Sequence, residues 1–235
     1  MQTQDNRSIS EQSQLLEGKH PREILQFALQ TFGDDLLFTS AFGPDAGVLL
    51  HLWSQLAPLR PVTFIDTGFL FSETLAYKEQ LTSLLGLRVE TLRPHLTKEA
   101  FVATHGENVY ETNPDFCCAQ NRVEPIQRVV GTAKAWVSGL RRDQGGARAN
   151  VPILVETEGG PVKVHPLANF NAKQLYLYLQ EHKLPEHPLA LQGYTSVGCA
   201  PCTRPPIEGE GERSGRWVGS AKTECGLHTF LKIKA

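Results

Sequence analysis

The chain has 235 residues, of which 40% are hydrophobic and 20% are charged, and its formal net charge is −2. This composition is typical of a globular protein with one sizeable core, and the near-neutral charge argues against a nucleic-acid partner. No apolar run approaches the roughly 20 residues of a membrane span, and the first residues lack a signal-peptide pattern. We therefore expect a cytoplasmic protein without a membrane partner.

Apolar, strand-like segments alternate with helical patterns along most of the chain. The predicted elements, in chain order, are a helix that begins at Pro21, a strand at 36–39, a helix at 48–53, a strand at 61–66, a helix at 75–85, strands at 88–92 and 135–139, and a helix at 171–182. This alternation favours an α/β fold with a parallel sheet and helices on both faces. In such sheets, ligands bind beyond the carboxyl ends of the strands.

The two ends of the chain differ from this pattern. Residues 1–20 are polar and predict an irregular N-terminal segment, and residues 185–225 are too rich in Pro and Gly for regular elements. We predict one α/β domain over 21–205 that carries the ligand sites, followed by a mobile tail over 206–235. The sequence leaves open whether the chain forms a homo-oligomer.

Two loops at predicted strand ends are candidate ligand sites. Ser40 and Gly43 precede a helix, where a glycine admits a close phosphate and the helix N-terminus favours its charge. A simple turn is the alternative interpretation. Asp66, Thr67 and Gly68 form a turn after the next strand, for which a structural role is the stronger alternative.

A third loop is basic. Arg141, Arg142 and Arg148 follow the predicted strand at 135–139, beside two glycines. Guanidinium groups match the oxygens of phosphate or sulfate, so this array predicts an anion clamp at the ligand edge of the sheet. The alternative is a solvated surface loop with ion pairs.

Four of the five cysteines form two pairs, Cys117-Cys118 and Cys199-x-x-Cys202. Neighbouring side chains on a helix point about 100° apart, so an adjacent pair reaches one centre only with local distortion or with a large target. The set favours a [4Fe-4S] cluster over a structural zinc. Disulfides and unconnected core cysteines are the remaining alternatives, and a reducing compartment argues against the disulfides.

The fifth cysteine, Cys225, stands alone near the C-terminus, with Arg213 and Arg216 before it and His228 after it. Basic neighbours lower the pKa of a thiol and attract an anionic electrophile. We expect Cys225 to be exposed, and an exposed thiol is a poor structural choice because it oxidises. The pattern therefore predicts a nucleophile, with an incidental tail cysteine as the alternative.

Taken together, these motifs resemble the assimilatory sulfonucleotide reductases, the family that contains adenylyl-sulfate reductase and phosphoadenylyl-sulfate reductase. The resemblance spans about residues 20 to 228. It is carried by Phe64-Ile-Asp-Thr-Gly68 with Ser72-Glu-Thr74, Cys117-Cys118, Gly139-Leu-Arg-Arg-Asp-Gln144, Gly193-Tyr-Thr-Ser-Val-Gly-Cys-Ala-Pro-Cys202 and Glu224-Cys-Gly-Leu-His228. It implies a fold like the adenine-nucleotide α-hydrolases, with a flexible catalytic tail.

The resemblance also implies a reaction and its residues. Cys225 would attack the sulfate sulfur of adenylyl sulfate, releasing AMP and leaving S-sulfocysteine, which thioredoxin or glutaredoxin would reduce to sulfite on the route from sulfate toward cysteine. The implied roles are [4Fe-4S] ligation by Cys117, Cys118, Cys199 and Cys202, contact with the sulfate by Arg213 and Arg216, and binding of the phosphate and adenosine by Ser40, Gly43, Asp66, Thr67, Gly68, Arg141 and Arg142, with His228 also at the substrate.

Two features bear on the choice of nucleotide. Asn121-Arg122 stands where cluster-bearing members of the family carry Arg-Lys. This residue pair is closer to the sequence of cluster-free phosphoadenylyl-sulfate enzymes. The four paired cysteines favour adenylyl sulfate, with phosphoadenylyl sulfate or dual specificity as the alternative. A cluster-containing sulfurtransferase and a non-catalytic, nucleotide-binding redox sensor are the rival functions, and the sensor would not need Cys225.

Overall fold

The structure is a computed structural model that describes residues 7–234. Within this range the helices are α1 (Ile9–Leu15), α2 (Pro21–Phe32), α3 (Ala46–Leu56), α4 (Ser72–Leu85), α5 (Lys98–His105), α6 (Val109–Thr112), α7 (Pro114–Cys118), α8 (Glu124–Val130), α9 (Ala172–Glu181) and α10 (Gly226–Thr229). The strands are β1 (Leu36–Phe38), β2 (Val62–Ile65), β3 (Val89–Leu92), β4 (Ala135–Val137), β5 (Leu154–Val155) and β6 (Val162–Val164).

The strands form a mainly parallel sheet. β1, β4 and β6 pair in parallel, and β5 closes that edge as an antiparallel strand. β2 and β3 form a second parallel pair. A parallel bridge between Thr39 and Thr63 joins the two groups, with the Ser40 amide donating to the Thr63 carbonyl at 3.0 Å. The resulting order is β3-β2-β1-β4-β6-β5.

Side-chain alternation along the strands explains why both faces of the sheet are covered. Leu36 and Phe38 of β1 join the main core cluster with α2, α3 and α9, while Leu37 between them faces the opposite side. Trp136 of β4 also lies on that opposite side, where it packs with Ile126 of α8. Because a strand points successive side chains to opposite faces, a fully buried strand requires helices on both. The predicted α/β class is confirmed.

The order of the strands creates a crevice between β1 and β4. The chain leaves β1 toward β2 and β3 on one side, then returns to place β4 on the other side. The loops after β1 and β4 therefore separate at the carboxyl ends of these strands, which is the position where open α/β sheets bind ligands.

The N-terminal segment differs from its prediction. Residues 1–20 were expected to be irregular, but Ile9–Leu15 is helical, while residues 1–6 lie outside the described range. The hydroxyl of Ser8 and the carboxylate of Glu11 cap each other's backbone amides, and the Leu154 amide donates to Ser13 Oγ at 3.0 Å. A short capping box and docking on β5 stabilise a helix too polar to reveal itself by apolar periodicity.

Further elements were not predicted. The helices between Lys98 and Val130 and the short β5–β6 hairpin lack strong periodicity in the sequence. From 185 to 225 the described backbone has two short 3₁₀ turns and isolated β-bridges but no longer helix or strand, as expected for a segment rich in Pro and Gly. None of the helices in the described part of the chain has the length and apolar character needed to cross a membrane.

The tail lies against the α/β domain. Isolated antiparallel β-bridges join Thr203 to Arg216 and Thr157 to Ile233. The Phe230 ring lies 6.0 Å from the Trp136 ring. These contacts bring the segment around Cys225 back over the crevice. Mobility of the tail remains a prediction.

Candidate active site

A cavity occupies the crevice between β1 and β4. Its walls come from the loop after β1, the segment after β4, residues 195–197 and the tail. Residues with polar or reactive side chains on these walls include Ser40, Asp45, Arg122, Ser138, Gln144, Arg148, Thr195, Ser196, Arg213, Arg216, Cys225 and His228. The fold thus brings six of the residues predicted for the site to one cavity, namely Ser40, Gly43, Arg213, Arg216, Cys225 and His228.

Cys225 is buried at this cavity, in contrast to the exposed thiol expected from the sequence. It is 6% exposed and lies at the N-cap of the short helix α10. A hydrogen bond from Cys118 is the largest influence lowering the pKa of Cys225, and although burial opposes it, the charge of Arg122 adds to it. Burial protects the thiol from oxidation, while the donors around it favour the thiolate.

Arg122 links the thiol to one of the paired cysteines. Its guanidinium is 3.8 Å from Cys225 Sγ and 3.5 Å from Cys199 Sγ, and the residue is only 8% exposed. Burial opposes its charge, but the neighbouring Cys199 and Cys225 raise the pKa of Arg122 above its usual value. Arg122 is therefore a fixed positive charge between the two sulfur atoms.

Arg213 and Arg216 reach the cavity from the tail and share one partner. Arg213 donates to Ser196 Oγ at 3.3 Å and Arg216 at 3.4 Å, and Arg216 stacks 4.3 Å from the centre of the Trp217 ring. A Cβ at Gly198 would lie 2.3 Å from the Arg216 guanidinium, so glycine is required for this approach. Burial and the nearby Arg148 lower the pKa of Arg213 to about 10.

Of the three arginines in the basic loop, Arg148 is the one that lines the cavity. Its side chain forms a bidentate ion pair with Glu224, with both N···O distances at 2.6 Å, and donates to Gln144 Oε1 at 2.5 Å. Burial opposes the charge of Glu224, but the hydrogen bonds and charge of Arg148 outweigh it and lower the pKa of Glu224 to about 2. Arg148 and Glu224 thus form a charged pair at physiological pH.

Arg141 and Arg142, the two arginines predicted to bind the phosphate and adenosine, do not line the cavity. Arg141 is 1% exposed and engages three carboxylates, those of Asp45 at 3.0 Å, Glu212 at 2.8 Å and Asp143. Arg142 pairs with Glu17 at 2.6 Å near α1. Their guanidinium groups tie the loop after β4 to neighbouring segments, and their placement argues against the predicted phosphate contact.

The loop at 40–45 and the turn at 66–68 occupy different positions. Ser40 and Gly43 line the cavity, and Ser40 Oγ accepts from the Phe42 amide at 3.1 Å. Asp66 accepts from the Gly68 amide at 3.0 Å, as a structural turn does, and the turn is not among the cavity residues. Thr67 Oγ1 instead lies 3.4 Å from Cys199 Sγ, so this turn faces the cysteines.

The four paired cysteines come from two segments that meet. Phe69 and Cys117 belong to one apolar cluster that also contacts Cys199, and the Ala200 amide donates to the Phe69 carbonyl at 2.7 Å. Burial, then the nearby Cys199, raises the pKa of Cys117 to about 11 and of Cys202 to about 12.

The predicted metal site can be compared with the position of these thiols in the structure. Among residues 7–234, no group of three or more Cys, His, Asp or Glu side chains is arranged to hold a metal ion. A cluster of four irons accepts thiols that lie further apart than the ligands of one ion. Buried thiols that repel each other as thiolates are the donors that bound iron stabilises in the deprotonated state. Four cysteine thiols are the ligand type that a [4Fe-4S] cluster requires.

The backbone after the adjacent pair is distorted. α7 ends at Cys118, and Ala119–Val123 continues as a π-helical turn before α8. Asn121, within this turn, donates back to the Cys117 carbonyl at 3.0 Å and lies 3.7 Å from its Sγ. A π-helical turn rotates the side chains that follow it, and such turns concentrate at functional sites. Arg122 is one of the side chains so directed.

His228 lies on the cavity, one helical turn after Cys225. Its amide donates to the Cys225 carbonyl at 3.0 Å, and its own carbonyl accepts from Lys163 at 3.1 Å. Burial, then the charge of Arg148, holds the pKa of His228 well below its usual range. The imidazole is therefore neutral at physiological pH.

Several residues of the site were not predicted from the sequence as ligands. Arg122 was noted only as a departure from a motif, and Glu224 only as the first residue of the motif that contains Cys225. Ser196 and Gln144 carry no local signal, because their roles depend on arginines distant in sequence. Arg148 was included in the basic array, but Arg141 and Arg142 were given the binding role.

Comparisons with known proteins identify the family of this chain. Residues 35–205 match the phosphoadenosine phosphosulfate reductase domain family. An adenosine 5′-phosphosulfate reductase from Streptomyces coelicolor is 39% identical over 228 residues, covering 96% of both chains. A phosphoadenosine 5′-phosphosulfate reductase from Gloeobacter violaceus is 42% identical over 212 residues, covering 88% of both chains.

Solved structures support the same assignment. A phosphoadenylyl-sulfate reductase from Candida auris, crystallised with phosphate, superposes with a TM-score of 0.74 at 28% identity and covers 86% of this chain and 99% of its own. An FMN adenylyltransferase from Candida glabrata, with a TM-score of 0.55 at 20% identity over 89% of this chain and 71% of its own, shares the fold alone. The chain thus belongs to the phosphoadenosine phosphosulfate reductase domain family.

Proposed function

We propose that this protein reduces adenylyl sulfate, also called adenosine 5′-phosphosulfate, to sulfite and AMP, with Cys225 as the nucleophile, in the assimilation of sulfate toward cysteine. The observation that carries the proposal is the position of the Cys225 thiol. The thiol lines the cavity in the crevice between β1 and β4, together with Arg122, Arg148, Arg213 and Arg216. A thiolate attacks a sulfate group only where fixed positive charge offsets the negative charge of both partners.

The first step transfers the sulfo group. Cys225 Sγ attacks the sulfate sulfur, forming an S–S bond, while the bond from that sulfur to the bridging oxygen breaks. The electron pair of the broken bond leaves on the phosphate of AMP. Arg213 and Arg216 are suited to hold the sulfate oxygens, because both are fixed by Ser196 before the substrate arrives.

The second step reduces the enzyme. A thiolate of an external dithiol attacks Cys225 Sγ, so that sulfite leaves with the electron pair of the S–S bond. The second thiol of that dithiol then displaces Cys225 and forms a disulfide, which accounts for the two electrons that convert sulfate to sulfite. We propose thioredoxin or glutaredoxin as the partner. Cys225 is 6% exposed in the docked tail, so the tail must move for this step.

We further propose that Cys117, Cys118, Cys199 and Cys202 hold a [4Fe-4S] cluster. When bound, the cluster supplies local charge and orientation, and the external dithiol supplies the electrons. Arg122 supports this proposal, because its guanidinium contacts both Cys199 and Cys225.

Iron content tests the cofactor. We expect anaerobically purified protein to contain about four iron and four acid-labile sulfide per chain, and Cys199→Ser to reduce both by more than about half, because one thiolate ligand is lost. Cys225→Ser is the matched control and should keep its iron. Equal iron in both variants, or none in the wild type after anaerobic reconstitution, would contradict the cluster.

Nucleotide preference tests the substrate. We expect sulfite release from adenylyl sulfate to exceed that from phosphoadenylyl sulfate by more than about tenfold in kcat/KM, equivalent to roughly 1.4 kcal/mol of transition-state binding. The 42% identity to the Gloeobacter violaceus protein makes the 3′-phosphorylated nucleotide the second candidate. A reversed ratio would assign that substrate instead, and no sulfite from either would overturn the proposed function.

A further inference from the structure

The proposed reaction leaves the carboxylate beside the nucleophile without a role. Glu224 accepts hydrogen bonds from Arg148 at 2.6 Å to each oxygen and from Arg213 at 3.0 Å. The Cys225 amide donates to the same carboxylate at 2.8 Å. The Glu224 side chain is 10% exposed, so these donors replace nearly all of its hydration. The carboxylate is thus firmly held at the point where the tail enters the cavity.

The same guanidinium groups face the cavity. Arg148 and Arg213 both line it, together with the Cys225 thiol. A guanidinium fork binds carboxylate, phosphate and sulfate oxygens in the same geometry. In the described structure Glu224 therefore uses donors that an entering anion would also use.

From these contacts we propose that Glu224 is a positioning residue with two linked effects. It ties the Cys225 segment to Arg148 and Arg213, and it competes with the anionic groups of the nucleotide for these two guanidinium groups. The inference rests on the proposed function only for the identity of that anion, a sulfonucleotide.

The two effects change in opposite directions when the carboxylate is removed. Arg148 and Arg213 carry two positive charges, of which Glu224 offsets one, so its loss leaves a more positive cavity that attracts the nucleotide more strongly. At the same time, the Cys225 segment loses its buried anchor and spends less time over the substrate. If Glu224 had a purely structural role, replacing it would weaken nucleotide binding and also slow sulfo transfer.

The test compares Glu224→Gln with Glu210→Gln, the same change at an exposed tail residue whose side chain has no hydrogen bond or ion pair in the described structure. Nucleotide affinity is measured by calorimetry with Cys225→Ser in each background, which prevents turnover. We expect Glu224→Gln to tighten adenylyl-sulfate binding about threefold and to slow single-turnover AMP release at least about tenfold, as expected for loss of a charged hydrogen bond. Glu210→Gln should change neither quantity.

A second measurement needs no nucleotide. Cys225 is alkylated by iodoacetamide at the pH plateau where the thiol is fully ionised, and the modified peptide is quantified by mass spectrometry. The alkylation rate reports how often the tail opens. Glu224→Asp keeps the charge but shortens the side chain, so a faster alkylation in this variant reports lost position and not a changed thiol pKa. We expect increases of about tenfold for Glu224→Gln and about threefold for Glu224→Asp.

The outcomes separate this inference from the proposed function. Unchanged alkylation in both Glu224 variants, or weakened nucleotide binding in Glu224→Gln, overturns the positioning role even when the wild type forms sulfite. Faster alkylation in the Glu224 variants supports the positioning role of Glu224 even when the wild type forms no sulfite. The absence of sulfite would overturn only the proposed function.

Discussion

Replacing Cys225 with serine is expected to abolish sulfite formation, by at least about ten-thousandfold, while nucleotide affinity stays within about twofold. A hydroxyl in this position is a far weaker nucleophile than a thiolate, and the arginines that bind the anion remain in place. The measurements are sulfite release with a dithiol reductant and equilibrium binding of adenylyl sulfate.

Thr229→Ser, in the same short helix as the nucleophile, is the control and should retain turnover. Mass spectrometry after a single turnover of the wild type should find a sulfonate on the peptide that carries Cys225. Turnover by the Cys225→Ser variant would contradict the assignment of the nucleophile. Nucleotide binding without any sulfonated peptide in the wild type would instead favour a redox sensor.

Arg122→Ala is expected to lower the rate of sulfo transfer about a hundredfold, the loss typical of removing one fixed donor from a charge-stabilising site. The buried guanidinium contacts Cys225 Sγ at 3.8 Å and contributes to the lowered pKa of that thiol. Without it, the pKa of Cys225 rises and the fraction of thiolate at neutral pH falls. The pH profile of thiol alkylation should therefore shift to higher pH along with the pH profile of transfer.

Two variants control for folding and for charge. Arg128→Ala removes a partly exposed arginine from the adjoining helix α8 and should leave transfer unchanged. Arg122→Lys keeps the charge without the planar fork, so we expect it to recover part of the rate. Equal rates for Arg122→Ala and the wild type would show that the guanidinium is dispensable for sulfo transfer.

The sequence predicted the class of fold from its strands. The segments at 36–39, 61–66 and 135–139 are short and mostly apolar. A strand covered on both faces buries most of its side chains, so such runs favour strands. The structure places strands within all three. The helix at Ile9–Leu15 escaped prediction, since its stability depends on a capping box and on contact with β5. Periodicity reports apolar faces and not such contacts.

The candidate site was predictable in its chemistry but not in its detailed membership. Paired cysteines, a single tail thiol and clustered arginines are readable because each residue type has a narrow range of uses. Which arginine faces the cavity is not readable, since neighbouring carboxylates compete for each guanidinium. Arg141 lies among Asp45, Asp143 and Glu212, whereas Arg148 reaches the cavity.

The amino-acid sequence by itself determined the α/β class, the two cysteine pairs and the solitary Cys225, because local patterning and side-chain chemistry suffice for these. Only the tertiary structure decided that Cys225 is buried, that Arg122 contacts two sulfur atoms, and that Glu224 occupies the guanidinium groups of the cavity. These are contacts between residues far apart in the chain. Their distances and degree of burial follow from how the tail packs on the sheet, which no local pattern encodes.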